Sequence, residues 1–349
     1  MPKQDEQIQR KVEHLFLAEK YFTEESFTDF DGIRLLHDAL PELNYRNIDL
    51  TTNILGYESN LPFYFNAITG GSKQSARFNM ELSKLASTLG IPVSSGSMGV
   101  YLRIPDTADT FTPLRENNPD GFVMANVSAK VTPKQAKSAI DLLNANALQI
   151  HLNLIQEMAM PEGDRKFFWL DNIKKIVEEV KIPVIVKEVG FGMSNDSINK
   201  LINIGVKYID ISGFGGTDFA QIESARNHEI DLTYLDQFSL STVESLIEAQ
   251  PELKRVTIFA SGGIRTPMDV VKAIRMGASG VGISGLVLHH LQKYSLEEAT
   301  LFFESFAKQI QIIMAVIGAK NIDDIKKVPI IFDENLTNYS KQRKIDLPS

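Results

Sequence analysis

Strand-like and helix-like segments alternate through most of this chain, and that alternation restricts its possible folds more than any other feature. Between about residues 48 and 317, short segments rich in β-branched and aromatic residues are each followed by a helical pattern. Several, such as residues 182–188, are apolar on both faces until near their C-terminal ends, which is typical of parallel strands covered on both sides. The expected strands are residues 62–67, 91–94, 121–127, 147–153, 182–188, 206–212, 255–261 and 279–284. Eight strand–helix units over about 270 residues predict an α/β fold of the (β/α)8 or TIM-barrel type.

Residues that favour helix ends bound the predicted helices. Thr132-Pro133 and Thr266-Pro267 each place a capping threonine before a first-turn proline. Gly90, Gly205 and Gly277 each stand between a helical segment and a strand, where a glycine commonly ends a helix. A doubly wound open sheet is the alternative architecture, but no usable GxGxxG motif follows its first strand.

The chain reads as one domain, because no linker-like segment interrupts its 349 residues. Within the single domain 1–349, we expect residues 1–50 to form an N-terminal arm that is helical between Gln4 and Tyr21. Residues 51–320 would form the barrel. Residues 321–349 would form a short C-terminal extension.

Composition excludes several classes of function. The absence of cysteine rules out disulfides, zinc–thiolate and iron–sulfur sites, and cysteine nucleophiles. The formal charge of −8 argues against nucleic acid as a partner, so any anionic ligand must be held by a local arrangement of residues. No apolar segment approaches the roughly 18 residues of a membrane span, and the polar first residues do not resemble a secretory signal. We therefore expect a cytoplasmic protein that binds neither nucleic acid nor membranes.

Two neighbouring loops predict a phosphate site. In barrels of this type, reactive groups lie where strands end and the following loops begin, and the last two loops commonly hold a phosphate. Here the last two are SGGIRTP at 261–267 and GISG at 282–285, and both lead into helices. Glycine backbone and the N–H groups of a helix start favour anions. The alternative is that these glycines only serve tight turns.

Basic residues at two positions, one at a strand end and one in the arm, are candidates for holding an anionic ligand. Lys187 ends an apolar strand, where an unpaired ammonium is costly, so a role in holding negative charge on a cofactor or substrate is favoured. The alternatives are that Lys187 pairs with Glu188 or Asp210, or that its side chain extends to solvent. Arg10 and Lys11 lie in the arm and, on composition, belong to a solvated helical face.

A group of polar residues follows the fourth predicted strand. His151 and Asn153 stand two residues apart, so their side chains share one face of that strand. Gln156 and Glu157 follow in the loop, and Glu157 is an oxygen ligand suited to Mg²⁺. The pattern predicts a polar site, with a structural histidine and an ordinary surface carboxylate as the alternatives.

Taken together, these segments resemble the type II isopentenyl-diphosphate isomerase family, whose members are flavin-dependent (β/α)8 barrels. The resemblance covers nearly the whole chain. The blocks QIHLNLIQE at 149–157 and KEVGFGMS at 187–194 are specific to the family, whereas SGGIR occurs in several flavin barrels. The other matching segments are RKVEH at 10–14, NAITGG at 66–71, GS at 96–97, ANVSA at 125–129, DISGFGGT at 210–217, ASGGIRTPMD at 260–269 and GISG at 282–285.

The resemblance implies a set of cofactor, substrate and metal residues. FMN would lie across the barrel mouth, its ring lined by Ala67, Ile68 and Thr69, with Ser97, Asn126 and Lys187 around it. Its ribityl chain and phosphate would be held by Ser212, Thr217, Gly263, Ile264, Arg265, Ser284 and Gly285. His151, Asn153 and Gln156 would line the substrate pocket, and Glu157 would ligate Mg²⁺. Arg10 and Lys11 would bind the substrate diphosphate, with the arm reaching a neighbouring subunit's site in a homo-oligomer, either a tetramer or an octamer.

The implied reaction interconverts isopentenyl and dimethylallyl diphosphate by adding and removing protons, without net redox change. In the family the reduced flavin mediates these transfers and NADPH supplies the reducing equivalents, while the protein supplies orientation and electrostatics. Lys187 would favour the anionic reduced flavin. Gln156 would position or assist, and His151 is the third catalytic candidate.

Two departures from the family pattern and several rival functions remain. Met98-Gly99 replaces a Gln-Arg pair found in many members, and Phe219 stands where an indole is frequent. An FMN-dependent 2-hydroxyacid oxidoreductase would need a histidine base and arginines, which the loop at 212–217 lacks. An inosine-monophosphate dehydrogenase would need a cysteine. A non-catalytic flavin- or phosphate-binding barrel would show gaps among the polar loop residues, and a flavin-free phosphosugar isomerase would be colourless.

Overall fold

A computed structural model shows a closed barrel of eight parallel strands, as the sequence predicts. It describes residues 2–24, 28–227 and 230–349. The strands are β1 Ile33–Leu35, β2 Thr52–Ile54, β3 Tyr57–Ser59, β4 Phe63–Phe65, β5 Val93–Ser94, β6 Val123–Ser128, β7 Ala147–His151, β8 Val184–Lys187, β9 Tyr208–Asp210, β10 Thr257–Ser261, β11 Val281–Ile283 and β12 Ile330–Phe332. Strands β4 to β11 form the barrel in chain order, and β11 pairs with β4 to close it. Each lies within its predicted segment, except that β6 extends to Ser128.

Helices follow the barrel strands and cover the outside of the barrel. Where the chain is described, no helix is both long enough and apolar enough to cross a membrane. The helices are α1 Pro2–Lys20, α2 Lys73–Leu89, α3 Pro113–Glu116, α4 Pro133–Leu143, α5 Leu154–Ala159, α6 Leu170–Glu179, α7 Asn195–Asn203, α8 Phe219–Arg226, α9 Thr242–Ala249, α10 Pro267–Arg275, α11 Gly285–Lys293, α12 Leu296–Val316, α13 Ile322–Ile325 and α14 Glu334–Arg343.

The predicted helix ends are confirmed. Thr132 accepts a hydrogen bond from the N–H of Gln135, whose side chain accepts one from the N–H of Thr132. Thr266 and Asp269 form the same reciprocal pair at the start of α10. Three glycines after helices have positive φ, as expected for left-handed helix ends: Gly90, Gly205 and Gly277. Local sequence therefore sets where these helices begin and end.

The N-terminal end of the barrel is filled and the C-terminal end is open. A two-stranded hairpin of β2 and β3 contributes Ile54, which packs with Tyr64, Phe259 and other inward-facing residues of the barrel. Tyr64 and Phe259 meet edge to face, with ring centroids 5.9 Å apart. This apolar plug leaves a single end of the barrel available for a polar site.

The arm and the C-terminal extension both pack on the barrel. Strand β1 of the arm pairs antiparallel with β12 of the extension. In α14, Arg343 donates to the buried carboxylate of Glu248 on α9 at 2.6 Å, and Tyr339 Oη donates to it at 3.0 Å. The arm helix α1, which the sequence placed at 4–21, contacts α8 and α11 and lies over the open end of the barrel.

Candidate active site

The C-terminal ends of the barrel strands surround a cavity of about 390 Å³, within the usual size range of small-molecule sites. Every residue that the sequence analysis assigned to a cofactor, substrate or metal lines this cavity. They come from all eight strand ends and from the arm. The structure thus brings the predicted set together, whereas their individual roles stay predictions.

One end of the cavity is built for an anion. Helix α11 begins at Gly285, and the side chain of the preceding Ser284 forms no capping hydrogen bond, so the first-turn N–H groups point outward. The Arg265 guanidinium lies beside them: a Cβ added to Gly285 would be 3.7 Å from its Nη1. Arg265 also stacks on Phe22 at 4.5 Å, and burial lowers its pKa to about 10. A phosphate fits this end.

The loop before α10 is partly engaged in capping its own helix. Thr266 caps the N–H of Asp269, and the Asp269 carboxylate accepts the N–H groups of Arg265 and Thr266. The glycines of this loop are required by close backbone approach, since a Cβ on Gly262 would lie 1.9 Å from the carbonyl oxygen of Gly213. Close backbone approach thus accounts for the glycines of this loop, and phosphate binding by the loop stays a prediction. The uncapped helix start is that of α11.

Lys187 is buried at the end of β8 without an ionic hydrogen bond to a carboxylate in the described part of the chain. Its Nζ donates to the carbonyl oxygen of Glu188 at 2.5 Å, and burial lowers its pKa. The carboxylate of Glu188 instead accepts the N–H groups of Val189, Gly190 and Phe191. The alternative prediction, that the Lys187 side chain pairs with that of Glu188, is wrong: no hydrogen bond joins the Lys187 ammonium to the Glu188 carboxylate. The ammonium lines the cavity.

His151 is neutral in this environment. Burial lowers its pKa to about 3, and the charges of Lys187, Lys11 and Lys130 add to the shift. Its Nδ1 lies 2.6 Å from Oδ1 of Asn126, which lines the same cavity. Burial among these ammonium groups therefore disfavours the charged form of the ring.

Asn153, Gln156 and Glu157 form a linked group at the start of α5. Asn153 Nδ2 donates to Gln156 Oε1 and Glu157 Oε1, each at 3.2 Å. Gln156 Nε2 in turn lies 3.4 Å from Oε1 of Glu223. These contacts fix the Gln156 amide, with its nitrogen directed to Glu223.

The surroundings of Glu157 define how a divalent cation would bind. Lys130 Nζ lies 2.8 Å from Glu157 Oε1, in a position that suits a cation, and the N–H of Asp164 donates to Oε2 at 2.6 Å. Asn153 Oδ1 is buried and accepts no hydrogen bond from any residue that the structure describes. Among the described residues there is no cluster of three or more metal-ligating side chains. The protein thus offers one carboxylate and one amide oxygen, which fits Mg²⁺ only if the ligand's phosphates and water complete its shell.

Sequence reasoning missed four charged residues of the cavity region: His14, Arg103, Lys130 and Glu223. The cavity is lined by His14, Arg103 and Lys130, and Glu223 is fully buried beside Gln156. The sequence does carry a signal for a buried Glu223, because this carboxylate lies on the same face of α8 as the apolar residues Ala220 and Ile222. A carboxylate on the apolar face of a helix needs a partner.

The arm helix is attached to the barrel by ion pairs around Glu223. His14 Nε2 lies 2.7 Å from Glu223 Oε1, Arg226 pairs with the other oxygen of Glu223, and Arg226 Nε pairs with Glu13 at 2.8 Å. The solvated face expected from composition is therefore wrong for Arg10 and Lys11, which line the cavity. In this structure the arm lies over its own barrel, and contact with a neighbouring subunit's site stays a prediction.

Burial of Lys11 predicts a pH-dependent stability difference. Burial lowers the pKa of Lys11 from 10.5 to about 7, and the nearby charges of Arg10 and Arg103 contribute. Between these values the unfolded chain binds the extra proton, so the cost of burying Lys11 is full below pH 7 and falls as pH rises. We expect Lys11→Met to raise the free energy of unfolding most at low pH, with the advantage shrinking towards pH 10. Denaturant titrations across pH measure this, and exposed Lys20→Met should show no such trend. A constant difference for Lys11→Met would contradict it.

Comparison with known proteins assigns the class. The model of the FMN-dependent dehydrogenase family matches residues 107–331. Among solved structures, a variant of flavocytochrome b2 matches with TM-score 0.67 and 18% identity, over 96% of this chain and 88% of that one. A variant of mandelate oxidase matches with TM-score 0.65 and 15% identity over 92% of both chains. These structures share the fold, and the chain belongs to the FMN-dependent dehydrogenase family.

Relatives that match nearly the full length of the chain assign it to one family within that class. The isopentenyl-diphosphate delta-isomerase of Latilactobacillus sakei subsp. sakei strain 23K is 46% identical over 99% of both chains. That of Lacticaseibacillus paracasei is 44% identical over 97% of this chain and 98% of the relative, and that of Staphylococcus aureus strain MW2 is 41% identical over 97% of both. The chain is a member of the isopentenyl-diphosphate delta-isomerase family.

Proposed function

We propose that this protein interconverts isopentenyl diphosphate and dimethylallyl diphosphate with reduced FMN bound across the barrel mouth. The observation that carries the proposal is a cavity with two separate cationic regions. Arg265 and the open start of α11 form one, while Arg10 and Lys11 of the arm form the other. Two anionic ligands, a flavin phosphate and a substrate diphosphate, account for both regions.

The proposed cofactor residues fit FMN by their chemistry. Reduced FMN, when bound, supplies the proton-transfer chemistry. Arg265, Ser284 and Gly285 would hold the phosphate, and Lys187 would stabilise negative charge on the reduced ring. The remaining cofactor residues would line the ring and the ribityl chain: Ala67, Ile68, Thr69, Ser97, Asn126, Ser212, Thr217, Gly263 and Ile264.

The proposed substrate residues act by binding and orientation. Arg10 and Lys11 would bind the diphosphate, and Glu157 would hold Mg²⁺ that the same diphosphate completes. Gln156, whose amide is fixed by Glu223 and Asn153, would position the reacting carbon chain. His151 would line the pocket as a neutral ring. We also propose NADPH as the reductant of the flavin.

The decisive experiment supplies isopentenyl diphosphate, FMN, Mg²⁺ and NADPH to the purified protein without oxygen. Formation of dimethylallyl diphosphate, together with yellow colour from bound flavin, is the expected result. A colourless protein, or one that binds FMN but forms no product under reducing conditions, would contradict the proposal. Omitting Mg²⁺ should lower the rate, which tests the role of Glu157 separately from that of FMN.

Arg265→Gln is expected to weaken FMN binding about 10- to 100-fold, because one charge-assisted hydrogen bond is worth about 1.5–3 kcal/mol. Quenching of flavin fluorescence by the apoprotein measures the dissociation constant. Arg275→Gln is the matched control, since Arg275 is also buried but donates to Val328 outside the cavity. It should lower thermal stability and leave FMN affinity unchanged. Equal losses of affinity in the two variants would remove the phosphate role of Arg265.

A homo-oligomer is also proposed, with a cytoplasmic location as predicted from the sequence. Large apolar side chains are exposed at the surface, with Phe168 90%, Phe238 73% and Phe16 66% exposed. Exposed apolar surface of this kind favours association with another protein surface. Light scattering of the purified protein should therefore give a multiple of the single-chain mass, and a monomer at micromolar concentration would contradict the proposal.

A further inference from the structure

A buried chain of hydrogen bonds inside the barrel ends at the cavity, and its first member is Asp210 on β9. Asp210 is fully buried, and its carboxylate accepts hydrogen bonds from Tyr64 Oη at 3.1 Å, Asn66 Nδ2 at 2.7 Å and Ser261 Oγ at 2.7 Å. The N–H of Ser212 donates to it as well, at 3.1 Å. A carboxylate with these partners is an acceptor only. It therefore fixes the direction of every hydrogen bond that follows.

The first amide of the chain, Asn66, can have one orientation only. Its nitrogen faces the Asp210 carboxylate, and its Oδ1 accepts the backbone N–H of Ala67 at 2.8 Å. Because Asn66 Oδ1 is an acceptor, the group that Gln149 places 3.0 Å from it must be the amide nitrogen. The orientation of Gln149 follows from that of Asn66.

The second half of the chain carries this direction to the cavity. Gln149 Oε1 accepts Ser94 Oγ at 2.8 Å and Asn126 Nδ2 at 3.1 Å. The oxygen of Asn126 is then left to face His151 Nδ1, 2.6 Å away. An amide oxygen cannot donate, so the hydrogen of this bond must reside on His151 Nδ1.

We propose that the Asp210 carboxylate holds His151 as its Nδ1–H tautomer, with Nε2 presented as a hydrogen-bond acceptor. Asn66, Gln149 and Asn126 act as positioning residues that transmit this orientation. His151 then accepts a hydrogen bond from an ammonium, N–H or O–H group at the cavity. It does not donate to a phosphate oxygen.

The charges around the ring support this assignment. The His151 ring lies close to three ammonium groups, those of Lys187, Lys11 and Lys130, and their charges disfavour its protonated form. The lone pair of a neutral Nε2 is the group that complements nearby ammonium ions. The assigned tautomer stands independently of the isomerase proposal. One consequence does depend on that proposal: a substrate diphosphate would be bound by arginine and lysine, and not by His151.

Long-range ¹H–¹⁵N spectra of the full-length protein with ¹⁵N-labelled histidine test the tautomer directly, without substrate. The His151 signals are identified by their loss in His151→Gln. We expect a pyrrole-type Nδ1 and a pyridine-type Nε2. The opposite tautomer, or a charged ring, would overturn the assignment whether or not the protein is an isomerase.

Gln149→Met tests whether the chain transmits the orientation. It removes both amide contacts of Gln149 while Asp210 keeps Tyr64, Asn66 and Ser261, so Asn126 becomes free to turn and both tautomers should appear. Tyr64→Phe is the matched control, since it removes a donor to Asp210 outside the amide chain and should leave the Nδ1–H form unchanged. Thermal unfolding checks that each variant folds, and Asp210→Asn serves as a second interruption. A pure Nδ1–H form in a folded interrupted variant would refute the role of the chain.

Discussion

Replacing Lys187 with methionine is expected to lower turnover by about 10²- to 10³-fold, the usual effect of removing one preorganised group that stabilises developing charge. The folded protein should be at least as stable as before. The Lys187 ammonium is buried and donates to a single carbonyl oxygen, so its burial is a cost that methionine avoids. The isomerase assay under reducing conditions and a thermal melt measure the two effects.

Lys272→Met is the control for this substitution. The Lys272 ammonium donates to the carbonyl oxygen of Phe30 at 2.8 Å, and Lys272 does not line the cavity. Its loss should cost about 1 kcal/mol of stability, the typical value of one hydrogen bond, and leave turnover unchanged. If Lys187→Met loses stability and activity in parallel, Lys187 is structural and its proposed role is wrong.

Glu223→Ala is expected to destabilise the protein by about 3 kcal/mol and to release the arm helix from the barrel. Glu223 is fully buried, and it faces His14 and Arg226. Removing one partner of a buried ion pair leaves the other charge uncompensated, which is why the cost is high. Gln156 also loses its acceptor, so turnover should fall. Denaturant unfolding measures the stability, and limited proteolysis near the arm measures its release.

Glu162→Ala is the matched variant. Glu162 contacts the same Arg226 at 3.4 Å, and its side chain is 47% exposed. An exposed pair of this kind contributes less than about 1 kcal/mol. Similar losses in the two variants would show that burial of Glu223 does not determine how firmly the arm is held.

The barrel could be predicted from sequence because its signals are local. Residues 182–186 are apolar on both faces, and that property indicates a covered parallel strand. Likewise, the helix that begins after Thr132 is specified by four consecutive residues. The positions of cavity residues then followed, because the ends of parallel strands in a closed barrel face one region.

Partners across the fold could not be predicted, because no local pattern encodes them. Lys130 follows β6 and Glu157 lies on α5, and only the closed barrel brings their charges to 2.8 Å. The contact of His14 with Glu223 likewise depends on how α1 lies over the barrel. The Thr266–Asp269 pair is an exception, because this local pattern marks the start of α10 and also engages the N–H groups of Arg265 and Thr266.

The pairing of β4 with β11 has a consequence for the synthesis of the protein. Phe65 lies opposite Ile283, and the N–H of Asn66 donates to the carbonyl oxygen of Ile283 at 2.9 Å. During synthesis, β4 therefore keeps an unpaired strand edge until β11 has left the ribosome. Contacts this distant in sequence slow folding and leave intermediates prone to aggregation. Shortened chains that end before Val281 should consequently accumulate in the insoluble fraction of the cell, however well their individual helices are capped.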